Sequence, residues 1–111
     1  MIEYGGKNYV LKYNQKRIEM IEAVTNMPTM AELKRTGGYL GLTSLKAYFA
    51  YGLKEDGSDA FVAPKKGVEI CTQLIENESY EKVCGLVLEN LERDCPFFFP
   101  PARRPQCPYA L

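Results

Sequence analysis

Residues 2–13 read IEYGGKNYVLKY, and the fold turns on what happens at the end of that stretch. Gly5-Gly6 supplies the positive φ angles that a tight hairpin turn needs. After the turn, Tyr9, Leu11 and Tyr13 alternate with Val10 and Lys12, the period of a half-buried strand. From Asn14 onward the apolar period becomes helical. Asn14 caps a first helix running to about Val24, with Ile18, Ile21 and Val24 on one face. The stretch therefore marks an N-terminal β-hairpin feeding a helical body. A lone two-stranded ribbon is marginal in water, so it must cover the helices or pair with another chain. Its free edges make it a candidate for self-association, with Tyr9, Leu11 and Tyr13 as candidate contact residues.

Four more helices are expected. Met27-Pro28 stops the first one. Thr29-Met30-Ala31-Glu32 has the form of a capping box, in which the hydroxyl takes a free N–H and the glutamate reaches back. That helix ends at Gly37-Gly38, where a left-handed cap costs little. Thr43 or Ser44 starts the next, with Leu45, Tyr48, Phe49 and Leu53 inward and an end near Gly52. Residues 54–59, KEDGSD, form a solvated turn and lack the ligand positions of a calcium loop. Ala63-Pro64 opens a helix in which Val68, Cys71, Leu74 and Ile75 recur at helical spacing. Ser79 caps a last helix, where Val83, Leu86, Val87 and Leu91, with Cys84 and Leu88, make a wide apolar face up to about Arg93. The fold class is mainly α: an N-terminal β-hairpin followed by about five helices, with minor strand content. Residues 1–95 form a single domain, and residues 96–111 an extended tail, mobile unless bound.

Composition narrows the function. The chain has 111 residues, 46% hydrophobic and 25% charged, which is ordinary globular usage. Fourteen basic and fourteen acidic side chains cancel, leaving no overall field for nucleic acid or an anionic membrane. No apolar run approaches a membrane span, and the N-terminus lacks the basic-then-apolar pattern of a secretory signal, so a cytoplasmic protein is expected. There is no histidine, so the usual general base is missing. The cysteines Cys71, Cys84, Cys95 and Cys107 form no C-x-x-C pair and read as buried thiols, not as metal ligands or a disulfide. Glu19 and Glu22 read as a solvated helical face beside cations. No G-x-S-x-G occurs, and Gly37, Gly38 and Gly41 do not follow a strand. Catalytic, cofactor-binding and metal-binding residues are expected to be absent, and the protein is read as a non-enzyme.

Two binding features stand out. The corner from Thr29 to Phe49, two short helices joined by a glycine turn, resembles a helix-turn-helix in outline. Its second helix offers Thr43, Ser44, Lys46, Ala47 and Ala50 outward, with a single cation, so a helical corner packed on the core is the favoured reading and nucleic acid is not expected as a partner. The other feature is CPFFFPP, residues 95–101. Proline bars a regular helix or inner strand there. Phe97, Phe98 and Phe99 either fold back to cap the core or insert into a partner.

The opening GGKNYVLKYNQKRIEMIE resembles the start of the small tail assembly chaperones of long-tailed (siphovirus) bacteriophages. Gly6, Lys7, Tyr9, Leu11, Lys12 and Tyr13 match the family's short ribbon of glycine-lysine-aromatic-apolar-leucine-lysine, and the helical body through VLENLERDCPFFF is similar in length and order. The likeness spans roughly residues 1–99, through motifs of common residues. It implies a non-enzymatic protein that self-associates and coats the hydrophobic, helical tape measure protein before the tail tube polymerises. The tail tube protein is a further candidate partner. It implies the host bacterial cytoplasm, and absence from the mature virion. The alternatives are a small helix-turn-helix-like DNA-binding regulator, and a structural tail or connector component. The family is known for ribosomal frameshifting, and the change of composition after Phe99 suits either a tail translated past a slippery site or residues added in cloning.

Overall fold

The computed structural model describes residues 2–98. In chain order these are β1 (Ile2–Tyr4), β2 (Lys7–Leu11), α1 (Gln15–Thr25), α2 (Thr29–Thr36), α3 (Leu42–Gly52), β3 (Leu53–Glu55), α4 (Pro64–Asn77), α5 (Tyr80–Asp94) and a 3-10 turn (Pro96–Phe98). The mainly helical fold with an N-terminal hairpin is as expected. Gly5 and Gly6 turn the hairpin at φ 59° and 80°, setting Ile2 opposite Tyr9 and Tyr4 opposite Lys7.

A third strand changes the account of the ribbon. β2 also pairs with β3, Leu11 opposite Leu53, so the sheet order is β1-β2-β3. β3 in turn bridges Phe61 through Lys54, and the Val62 N–H donates to the Leu53 carbonyl at 2.9 Å. The open ladder edge that remains belongs to the three-residue strand β1, less than the two free edges expected of an isolated ribbon. β3 starts at the residue after α3 ends, so Leu53, expected as the helix's last inward residue, is buried as a strand residue instead.

α3 is the centre of the molecule. It packs on α1, α4, α5 and β2, and Leu45, Ala47, Tyr48, Phe49, Ala50 and Gly52 are all buried. α4 lies against it closely because Gly67 has no side chain: a Cβ there would sit 2.7 Å from Ala50 Cα. α3 begins at Leu42 after Gly41, one residue before Thr43, the earlier of the two expected starts, and Leu42 is left exposed.

The capping box is not formed. Thr29 is fully buried and its Oγ1 accepts from the Tyr48 hydroxyl at 2.9 Å, while its N–H is taken at 2.7 Å by Glu22 of α1. Glu32 is buried too, accepting hydrogen bonds from Ser44 and Arg35. Tertiary partners across the α1–α2–α3 junction displace the local motif. Glu22 is thus a cap for the next helix as well as part of α1's surface. Gly37, at φ 66°, ends α2 as expected, with its N–H bonded to the Leu33 carbonyl.

Two valines expected inward are not. Val24 is 57% exposed and Val68 38% exposed, while Ile18 and Ile21 of α1 and Gly67, Ile70, Cys71 and Leu74 of α4 carry the burial. α5 buries Val83, Cys84, Val87 and Leu91, so most of its wide apolar face is core. Cys71, Cys84 and Cys95 are free, buried thiols; Cys107 lies outside the described residues.

The end of α5 is tied to the sheet. Arg93 donates to the Leu11 carbonyl at 2.7 Å, and the Tyr13 N–H donates to Asp94 at 2.9 Å. Arg93 and Asp94 pair with each other at 2.8 Å. Residues 96–98 then curl into the 3-10 turn, the Phe98 N–H bonding the Cys95 carbonyl at 3.1 Å. The expected extended tail therefore does not begin at Pro96, and residues 99–111 lie outside the described residues.

Candidate functional site

The 3-10 turn delivers its phenylalanines to one end of a groove of about 770 Å³ between α2 and α5. Met30, Leu33 and Lys34 of α2 form one wall, and Glu81, Cys84, Gly85, Leu88 and Glu92 of α5 the other. Residues 37–39 close one side, and Phe97 and Phe98 complete the lining.

Glycine and hydrogen bonds shape the walls. Gly38 holds φ 93°, and a Cβ there would meet Leu88 Cδ1 at 3.4 Å. The Cys84 thiol donates to the Gly38 carbonyl at 3.3 Å, and the Tyr80 hydroxyl donates to the Leu40 carbonyl. These bonds stitch the α2–α3 connection to α5 and leave Tyr39, 70% exposed, standing outward. A Cβ on Gly85 would have nothing within 4 Å, so α5 presents bare backbone to the groove. An isolated glycine inside a helix costs about 1 kcal/mol against alanine. That cost is a sequence signal for this surface beside the phenylalanines.

The three phenylalanines divide. Phe98 packs against the core, while Phe97 is 48% exposed; their rings lie 4.7 Å apart, tilted by 48°. Phe99 lies outside the described residues. Tyr9, Leu11 and Tyr13, expected as contact residues, are 2%, 1% and 5% exposed and none lines the groove. The Tyr13 hydroxyl donates to the Tyr48 carbonyl at 2.8 Å, beneath Gly52, whose missing side chain makes room for the Tyr13 ring. The chain's own helices thus cover the ribbon's inner face, which does not leave these side chains available to a partner. Met30, Leu33, Tyr39 and Leu88 carry no local signal as site residues, because they come to line one groove only when the folded chain sets α2 across from α5.

The groove's surface is largely apolar, with two carboxylates and one ammonium among the lining residues. Burial pushes the Tyr80 hydroxyl up to about 12, with Cys84 adding to the effect. Burial also pushes the Cys71 thiol up to about 12, with Lys46 acting in the opposite direction. Both shifts favour the protonated form and move these groups away from service as base or nucleophile at neutral pH. Among the described residues, no group of three or more Cys, Asp or Glu side chains could hold a metal ion, and no helix is long and apolar enough to cross a membrane.

The helix-turn-helix-like corner turns much of its second helix inward. A recognition helix needs an outward face to enter a groove of DNA. In α3, Ala47 and Ala50 are buried and Ser44 is bonded to Glu32. Leu42 and Thr43 of its first turn are exposed, and Ser44, Lys46 and Tyr51 are half-buried.

No family model, curated protein or solved structure matches this chain.

Proposed function

We propose that the chain is a non-enzymatic tail assembly chaperone that takes an apolar helix of the tape measure protein into the α2–α5 groove. The observation that carries this reading is the groove itself, largely apolar and with the exposed rings of Tyr39 and Phe97 in its lining. Helix-in-groove recognition lays the apolar face of a helix into a hydrophobic groove, and aromatic residues carry much of the binding energy. The volume, about 770 Å³, lies in the range of sites that enclose several side chains. The resemblance of residues 6–13 to the family's opening ribbon supplies the partner's identity.

The physics of the task suits such a site. An unassembled tape measure protein exposes long apolar stripes, an aggregation hazard. Each contact must be moderate, so that the growing tube displaces it, and many self-associated copies along one rod supply the avidity. The task belongs to the host cytoplasm and ends when the tail is complete.

Co-expression with the tape measure protein of the same phage genome tests the reading. The chain is expected to keep that protein soluble and to purify with it, and a Tyr39→Ser/Phe97→Ser double variant is expected to do neither. A tape measure protein equally soluble without the chain, or a complex indifferent to both substitutions, overturns it.

A further inference from the structure

We infer a second docking surface, between α1, α3 and α4, whose occupant is an acidic amphipathic helix of a partner protein. It is a groove of about 360 Å³ lined by Val24, Tyr51, Pro64 and Val68 together with Lys46 and Lys65. It shares no lining residue with the α2–α5 groove.

Three observations converge. The two valines that leave the core, Val24 of α1 and Val68 of α4, come from different helices to this one groove. Their exposure follows from helix orientation, and together they offer a seat for two apolar side chains of a facing helix. Next, the charged groups lining the groove are both cations, and neither lysine takes part in an ion pair among the described residues. The α2–α5 groove differs, having Glu81 and Glu92 in its lining beside Lys34. Finally, α4 begins here, and its first turn carries no acidic residue while Lys65 and Lys66 follow Pro64. A helix N-terminus holds a positive partial charge, so cations there oppose the macrodipole by about 0.3–1 kcal/mol each where exposed. Lys46, Lys65 and the α4 terminus thus each contribute positive charge at the groove. An apolar seat with two cations in its lining is complementary to a helix with an apolar pair flanked by glutamates or aspartates.

The test is a titration of the isotope-labelled full-length chain with two synthetic amphipathic helices. They share one leucine pair at i and i+4 and differ only in carrying glutamate or lysine flanks. The acidic peptide is expected to shift the amide resonances of Val24, Lys46 and Val68 and to bind about five- to tenfold tighter than the basic one. Two ion pairs of ordinary surface strength give that ratio, and added salt should shrink it. Lys46→Glu/Lys65→Glu should reverse the preference. Val24→Ser, at an exposed position, should weaken both peptides while leaving the melting temperature in place. Glu81→Lys in the other groove should change neither result. Equal binding of the two peptides, shifts confined to α2 and α5, or displacement of the acidic peptide by inorganic phosphate at equal concentration would each overturn the inference. These outcomes are independent of the tape measure reading, since no tape measure protein is present.

Discussion

Replacing Gly67 by alanine should destabilise this protein, although the same change in an open helix stabilises. In an exposed helix interior, glycine to alanine gains about 0.5–1 kcal/mol from backbone entropy. At Gly67 the new Cβ would lie 2.7 Å from Ala50 Cα, 2.9 Å from its Cβ and 3.0 Å from its carbonyl oxygen. These are backbone and near-backbone atoms that no rotamer change can move. Ordinary carbon contact is near ~3.5 Å, so α4 must withdraw from α3 by roughly 1 Å. That withdrawal loosens the most extensive helix–helix contact in the molecule. Overpacking of this kind costs about 1–3 kcal/mol, and after the propensity gain a net loss of roughly 1–2 kcal/mol remains. Each kcal/mol lowers the melting temperature of a domain this size by about 4–8 °C. Gly85→Ala is the matched control: with nothing within 4 Å of its Cβ, it should keep the full propensity gain and raise the melting temperature. Thermal unfolding by circular dichroism and a urea titration at one pH measure both variants. Stabilisation by Gly67→Ala comparable with that by Gly85→Ala would refute the close α3–α4 crossing.

Two further outcomes follow from the end of α5. Phe98→Ser should cost about 1–2 kcal/mol in a urea titration, since a partly buried ring holds less than the full 1.5–3 kcal/mol, whereas Phe97→Ser should leave stability nearly unchanged; equal losses from both would contradict the division of roles. Burial raises the Asp94 carboxyl, but the hydrogen bonds from Arg93 and the Tyr13 N–H, with the charges of Arg93 and Lys12, lower it on balance. A carboxyl lowered in the folded state contributes stability that is present above its unfolded value of about 3.9 and lost as pH falls through the folded value. Asp94→Asn should therefore cost about 1–2 kcal/mol at neutral pH and flatten the fall of stability below about pH 4; an unchanged acid limb in the variant's pH-dependent unfolding would show that Asp94 is not the group.

The parts of the fold legible in the sequence are those whose signals are local. Asn14 caps α1 by accepting from the Arg17 N–H at 2.8 Å, and Ser79 caps α5 by accepting from the Lys82 N–H at 3.1 Å. Gly5-Gly6 fixes the hairpin, and Gly37 the end of α2. What escaped depends on distant partners. β3 is three residues long and follows α3 without turn chemistry, so nothing in its own composition separates it from a last helical turn. Thr29 and Glu32 match a capping box residue for residue, yet Tyr48 and Ser44 take those side chains inward. Val24 and Val68 stand at core spacing on their helices, but helical period gives the direction of a stripe and not how much of it a neighbour will cover. For the candidate site, composition pointed to the phenylalanines. It gave no hint of the groove's other walls, because Leu33 and Leu88 come to line one groove only when the folded chain sets α2 across from α5.

The placement of that groove also explains why apolar residues are tolerated just past the last helix. Proline at 96 ends the helical ladder, and the following residues take the tight turn in place of α-helix. The turn starts from Cys95, which is buried, and from Asp94, which the Tyr13 N–H and Arg93 hold in place. Its position is therefore fixed from the sheet side, through Arg93 to the Leu11 carbonyl. Phe98 uses that fixed position to pack on the core, and its neighbour Phe97 is held beside it at the groove with half its surface in water. A contact residue on a rigid turn loses less conformational entropy on binding than one on a free strand of chain. The hairpin, with its aromatic face inside the fold, thus bears on the groove through positioning: Arg93 and Asp94 join the exit of the sheet to the turn that carries Phe97.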